Sequence, residues 1–197
     1  MSISSKDVAN LRNITGLGMM DCKKALEETN GDFDKAIDYL RKKGISKGEQ
    51  RSGRAASQGV IEPYIHPGSQ LGVLLELNCE TDFVSRSDEF KQLAHNLAMQ
   101  IAASSPTAVR REEVPQHVID KELEIYREQM ANEKKPPEIK EKIAIGKLEK
   151  YFQTTCLLEQ QYVKDPNVKV SELVLEVAGK LKENIVVKRF TRFQVGE

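Results

Sequence analysis

Apolar residues recur along the chain with two periods, and the changes from one to the other divide it. The first forty-odd residues are helical in spacing. Ser4 or Ser5 can cap a first helix with Val8 and Leu11 on one face, and Thr15-Gly16 ends it. Gly18 opens a second through Met19, Met20, Ala25 and Leu26, closed by Asn30-Gly31, residues that tolerate the left-handed conformation. Asp32 caps a third with Phe33, Ala36, Ile37 and Leu40 as its stripe, and Gly44 stops it after Arg41, Lys42 and Lys43. Adjacent helical positions point about 100° apart, so Met19 and Met20 do not both face one small core, and one is expected at the surface.

The period is lost over residues 46–59, where small residues alternate with Lys47, Arg51 and Arg54, as in a linker. An extended segment from Val60 to His66 leads into the turn signal Pro67-Gly68. Residues 71–79 then alternate, placing Leu71, Val73, Leu75, Leu77 and Cys79 on one face of a strand. Helical spacing returns with Phe90, Leu93, Ala94, Leu97, Ala98 and Ile101. A charged stretch from Glu112 carries Val118, Leu123, Ile125, Tyr126 and Met130. Pro136-Pro137 breaks it and starts another helix with Ile139, Ile143, Leu148, Tyr151 and Phe152, so two antiparallel helices flank the break. Asp165-Pro166-Asn167 reads as a turn, Ser171 as a cap, and residues 185–195 as a strand with apolar side chains on both faces, expected to be covered on both sides. The pattern predicts an α+β chain: a three-helix module at 1–45, a linker at 46–59, and at 60–197 an antiparallel sheet packed with helices, including a helical hairpin.

The stretch Cys79-Glu80-Thr81-Asp82-Phe83-Val84 lies where the strand hands over to a helix. A turn between two packed elements can hold Asp82 and Phe83 at the surface on a rigid base. In the plainer alternative Asp82 caps the next helix and Phe83 is core. A hydrophobic staple at Phe83 would make Val84 the cap and Asp88 its contact, and neither residue type suits.

Composition narrows the chemistry. The 197 residues carry 30 basic and 30 acidic side chains, so no net field recruits nucleic acid or an anionic membrane. There is no apolar run of spanning length and no signal-peptide pattern at the amino terminus, which predicts a cytoplasmic protein. Cys22, Cys79 and Cys156 are odd in number and far apart, as reduced thiols would be. His66, His95 and His117 are equally scattered, so neither a metal site nor a catalytic set stands out. No cofactor and no enzymatic activity are expected.

Three stretches together resemble the bacterial elongation factor Ts family: LRNITGLGMMDCKKALEETNGD at 11–32, LELNCETDFV at 75–84, and LLEQQYVKDPNVKV with RFTRFQVGE in the carboxyl-terminal part. The resemblance implies a ubiquitin-associated-like fold for the first module and, for the whole chain, exchange of guanine nucleotide on elongation factor Tu. It implies that Thr81, Asp82, Phe83 and Val84 contact that partner's G domain near its magnesium site, with Phe83 as a wedge. It also implies docking by Leu11, Arg12, Met19, Met20 and Lys23. Long members of the family continue past the stretch matching Arg-Phe-Gln-Val-Gly-Glu, so this chain resembles the short form. A second copy is then expected to complete the sheet, making a homodimer. Two other readings are a cytosolic adaptor that binds another protein, and a thiol or metal enzyme using the cysteines.

Overall fold

The structure is a computed structural model that describes residues 3–131 and 133–197. Its helices and strands form two compact units, each assembled from separated stretches of chain. The first contains the amino-terminal segment through Gly59, Asn78–Phe90 and Glu172–Val186; the second contains Val60–Leu77, Lys91–Ser171 and Val187–Glu197.

Three helices open the first unit: α1 (Ser5–Thr15), α2 (Met19–Glu28) and α3 (Phe33–Glu49). Ser4 caps α1 in a reciprocal box, its hydroxyl taking the Asp7 N–H at 3.1 Å while the Asp7 carboxylate takes the Ser4 N–H at 3.3 Å. Gly16 ends it at φ +67°, a conformation that glycine adopts freely. Asp32 caps α3, as its position predicts. Val8, Leu11, Cys22, Ala25, Leu26, Ala36 and Leu40 form one buried cluster among these helices.

Gly44 does not stop α3, which continues through Gly48 to Glu49. The reason lies in α8 (Val170–Leu181). A Cβ on Gly179 would stand 2.2 Å from the Gly44 carbonyl oxygen, and one on Gly48 would stand 2.2 Å from that of Leu175. The glycines let two helix backbones touch, and that packing outweighs their poor helix propensity. Arg41 spans the crossing, within 3.7 Å of both Glu172 and Glu176.

In the second unit lies a sheet in the order β1-β2-β5, from β1 (Gln58–Ile65), β2 (Leu71–Cys79) and β5 (Val186–Gln194). The Val195 N–H donates to the Gln70 carbonyl at 2.8 Å and Arg189 pairs with Glu76 at 2.7 Å, so β5 runs antiparallel to β2. Val73, Leu75 and Leu77 are buried on the inner face, as the alternation predicts. The His95 imidazole Nδ1–H donates to the Glu62 carboxylate at 2.9 Å, joining β1 to α5 (Asp88–Ser104). The outer face of β5 is not covered: Phe193 is 69% exposed, and Ile61, Ile65 and Leu74 are exposed as well. Within one chain the strand is therefore covered on one side only.

Helices α6 (Gln116–Gln129) and α7 (Pro137–Thr155) contact one another. Arg127 forms a forked pair with Glu141 at 2.6 and 2.9 Å, and the cluster of Ala108, Val114, Phe152 and Cys156 packs with Val118, Ile119, Leu148 and Tyr151. The expected turn at residues 165–167 is instead the start of β4 (Asp165–Lys169), which pairs antiparallel with β3 (Gln161–Tyr162).

The glycine crossing gives a paired prediction. Gly179→Ala should lose about 2 kcal/mol or more, since backbone rather than a flexible tip must move. Gly146→Ala, inside α7 with nothing within 4 Å of the added carbon, should gain about 0.5–1 kcal/mol. Urea midpoints of the two variants against the parent test both signs.

Candidate functional site

The segment following β2 folds into one helical turn, α4 (Asp82–Ser85). Its cap is Thr81, one residue before Asp82, the cap of the plainer alternative. Thr81 is extended at φ −124° and ψ 154°, and its hydroxyl accepts the Val84 N–H at 3.3 Å. Ser85 donates to the Asp82 carbonyl at 2.8 Å, and Ser87 donates to that of Val84 at 2.7 Å before accepting the Phe90 N–H. These short polar side chains satisfy a turn too brief to satisfy itself.

A four-residue turn has few directions in which to point. Val84 and Ser85 face inward and are buried, while Phe83 is 84% exposed. The core reading of Phe83 is therefore excluded within this chain. Asp82 is surface-exposed and pairs with Arg86 at 2.9 Å, one turn on.

The base of the turn is fixed by residues a hundred positions away. The Glu183 carboxylate accepts the N–H groups of Glu80 and Thr81, each at 3.0 Å, and the Thr81 hydroxyl at 2.6 Å. Asn184 answers in the opposite sense. Its N–H donates to the Glu80 carboxylate at 2.7 Å, and its side-chain amide donates to the Arg54 carbonyl at 2.6 Å. Beneath the turn, burial pushes the Cys79 thiol up to about 11, so at neutral pH it stays protonated and donates to the Thr81 carbonyl at 3.1 Å. That state suits packing rather than nucleophilic chemistry. Burial likewise pushes the Cys156 thiol up to about 11, and Cys22 is buried.

The second group of candidates lies on α1 and α2, in the same compact unit. Leu11 is fully buried in the three-helix cluster, so it holds the surface in shape from beneath. Arg12, Met19, Met20 and Lys23 are exposed, Met20 at 76%. Both methionines are left over, not one. Ile14, three residues on from Leu11, joins them at 64%. Asp21 anchors the base of α2 to α3 through Lys43 at 2.8 Å and Lys47 at 3.2 Å. The hydrogen bond from Lys43 holds the Asp21 carboxyl below its usual range, with Lys47 adding to it.

Among the described residues no His, Cys, Asp and Glu cluster has metal-holding geometry, and no helix is long and apolar enough to cross a membrane. An α+β protein with an exposed aromatic on a buttressed turn, and exposed methionines on a helical module, is built to make contact through its surface. The comparisons with known proteins specify which class. The family profile described as Elongation factor TS matches residues 17–197. Elongation factor Ts of Moorella thermoacetica is 55% identical over 195 residues, covering 99% of this chain and 96% of the relative. That of Carboxydothermus hydrogenoformans is 54% identical over 195 residues, 99% of this chain and 90% of the relative. That of Fervidobacterium nodosum is 54% identical over 197 residues, with both chains covered in full. The chain belongs to the elongation factor Ts family, and its role is that of a translation elongation factor.

Proposed function

We propose that the chain acts in the cytoplasm as the guanine nucleotide exchange factor of elongation factor Tu, with the tip at residues 81–84 as the working element. The observation that carries this reading is Phe83, held 84% exposed on a turn bonded from both sides. In this mechanism Phe83 enters an apolar gap between helices of the partner's G domain. Asp82 fixes the displaced backbone, and Thr81 and Val84 set the angle of entry. The displacement disturbs magnesium coordination, so the ion and the GDP phosphates are held less well. By linkage, a factor that weakens nucleotide binding is itself bound more weakly by the same ratio once nucleotide returns. Incoming GTP therefore expels the factor, and no bond is made or broken on this chain.

The module of α1–α3 serves as the second grip, with a ubiquitin-associated-like fold that offers Arg12, Met19, Met20 and Lys23 over a base held by Leu11. Methionine side chains adapt to an irregular partner surface. Two grips in one compact unit make the second contact effectively intramolecular once the first has formed. The pair α6 and α7 forms a helical hairpin, supported by the forked Arg127–Glu141 pair.

Homodimerisation accounts for the open face of the sheet. Ile61, Leu74 and Phe193 line a shallow depression of about 350 Å³ together with Glu76, Arg189 and Thr191. A second copy laid on this face would cover apolar surface that is costly to leave in water.

Release of a fluorescent GDP analogue from elongation factor Tu, chased with excess GDP, tests the tip. The parent chain should accelerate release, and folded Phe83→Ala should lose most of that effect, with about 2 kcal/mol or more removed at the contact. Equal acceleration by both would remove Phe83 from the mechanism. Sedimentation equilibrium tests the dimer: the parent should sediment as a dimer and Phe193→Asp as a folded monomer. A monomeric parent at tens of micromolar, the lower range of interest for a weak dimer, would overturn it.

A further inference from the structure

We infer that Glu183 is a positioning residue for the tip: its carboxylate sets the direction in which Phe83 is presented, without itself touching the partner. The inference rests on the reading of Phe83 as the working element. It comes from a carboxylate whose hydrogen-bonding capacity is directed at one place. Both Glu183 oxygens are engaged by the tip, Oε2 by the Glu80 and Thr81 N–H groups at 3.0 Å and Oε1 by the Thr81 hydroxyl at 2.6 Å.

The third of these bonds couples the clamp to the cap. The Thr81 hydroxyl has one proton, which it gives to Glu183, leaving its lone pairs for the Val84 N–H that starts α4. Glu183 therefore dictates the orientation of the hydroxyl that opens the turn. Removing the carboxylate frees that hydroxyl to rotate and leaves the two N–H groups to water. The exposed surroundings of Thr81 let water replace the bonds in strength. Water cannot replace them in direction.

The backbone before Glu183 is built to deliver it. Helix α8 ends at Leu181, and Lys182 takes the left-handed conformation at φ +62°, which is disfavoured for a residue with a Cβ. That single reversal turns the chain so that Glu183 and Asn184 both face the tip. Asn184 completes a reciprocal pairing by donating its N–H to the Glu80 carboxylate at 2.7 Å. Because α8 also touches the backbone of α3 through Gly44 and Gly179, the helix that carries the clamp is seated on the helical module. The clamp thus refers the tip to the same frame as Arg12, Met19, Met20 and Lys23, all within one compact unit.

A loosened tip must be ordered at the moment of contact, which slows exchange roughly tenfold if about one residue loses its fixed backbone. The test compares the parent, Glu183→Ala, Glu183→Gln, Phe83→Ala and the double variant Phe83→Ala/Glu183→Ala in GDP release from elongation factor Tu. Amide hydrogen exchange at residues 80 and 81 is followed in parallel. Glu183→Ala should release GDP about tenfold more slowly than the parent and lose amide protection at the tip. Glu183→Gln, which keeps one carbonyl acceptor, should lie between them. In the Phe83→Ala background the Glu183 change should have little further effect, because a positioning residue matters only while the group it positions is present. Parent-like release by Glu183→Ala, unchanged tip protection, or an undiminished loss in the Phe83→Ala background would each overturn the inference. A parent chain that fails to release GDP would instead overturn the exchange reading, and the amide protection would still decide whether Glu183 orders the tip.

Discussion

An aromatic side chain standing in water is held there against a hydrophobic pull of roughly 2–3 kcal/mol, and Phe83 stays because its backbone has no freedom to turn it under. The Thr81 cap fixes the start of α4 and the Ser85 and Ser87 hydroxyls close it. Val84 and Ser85 occupy the inward positions, leaving Phe83 the outward one. The constraint is local in geometry and distant in sequence, since its base is the carboxylate of Glu183. Such a tip is exposed by construction, and its base is fixed by hydrogen bonds within the chain. Preorganisation of this kind spares the ordering that would otherwise accompany binding.

The same economy of motion governs the rest of that unit. At the α3–α8 crossing, glycines bring two helix backbones into contact where any side chain would intrude. Close-packed elements of this sort shift as bodies rather than bend, so the surfaces of α1 and α2 and of the tip belong to one frame. In the other unit, a sheet with one buried and one open apolar face invites a partner surface of its own. The exposed apolar side chains thus lie on separate surfaces, those of the tip and helical module in one unit and those of the sheet in the other.

Much of this was legible in the chain, and each exception has a physical cause. The alternation of residues 71–79 gave the buried face of β2 correctly, and capping residues located the starts of α1 and α3. Local rules succeeded where local forces decide. Gly44 misled because its helix-breaking tendency is overruled by a helix contributed from residues 170–181, which no local window contains. The pair β3 and β4 escaped notice because β3 has two residues and β4 contains Pro166, a residue that argues against a strand. Phe83 could be proposed from its place at a handover between elements. Glu183 could not, since it carries no motif and meets the tip only after folding. Leu11, named for docking by resemblance, is core.

The central claim is that the tip acts by loosening the partner's hold on magnesium, and GDP release measured with and without that ion tests it most directly. Elongation factor Tu loaded with a fluorescent GDP analogue is mixed with this chain in magnesium buffer and, separately, after chelation of the metal. If the tip works through the ion, the acceleration is large with magnesium present and shrinks when chelation has already removed what Phe83 would disturb. An acceleration of equal size in both conditions would contradict the account.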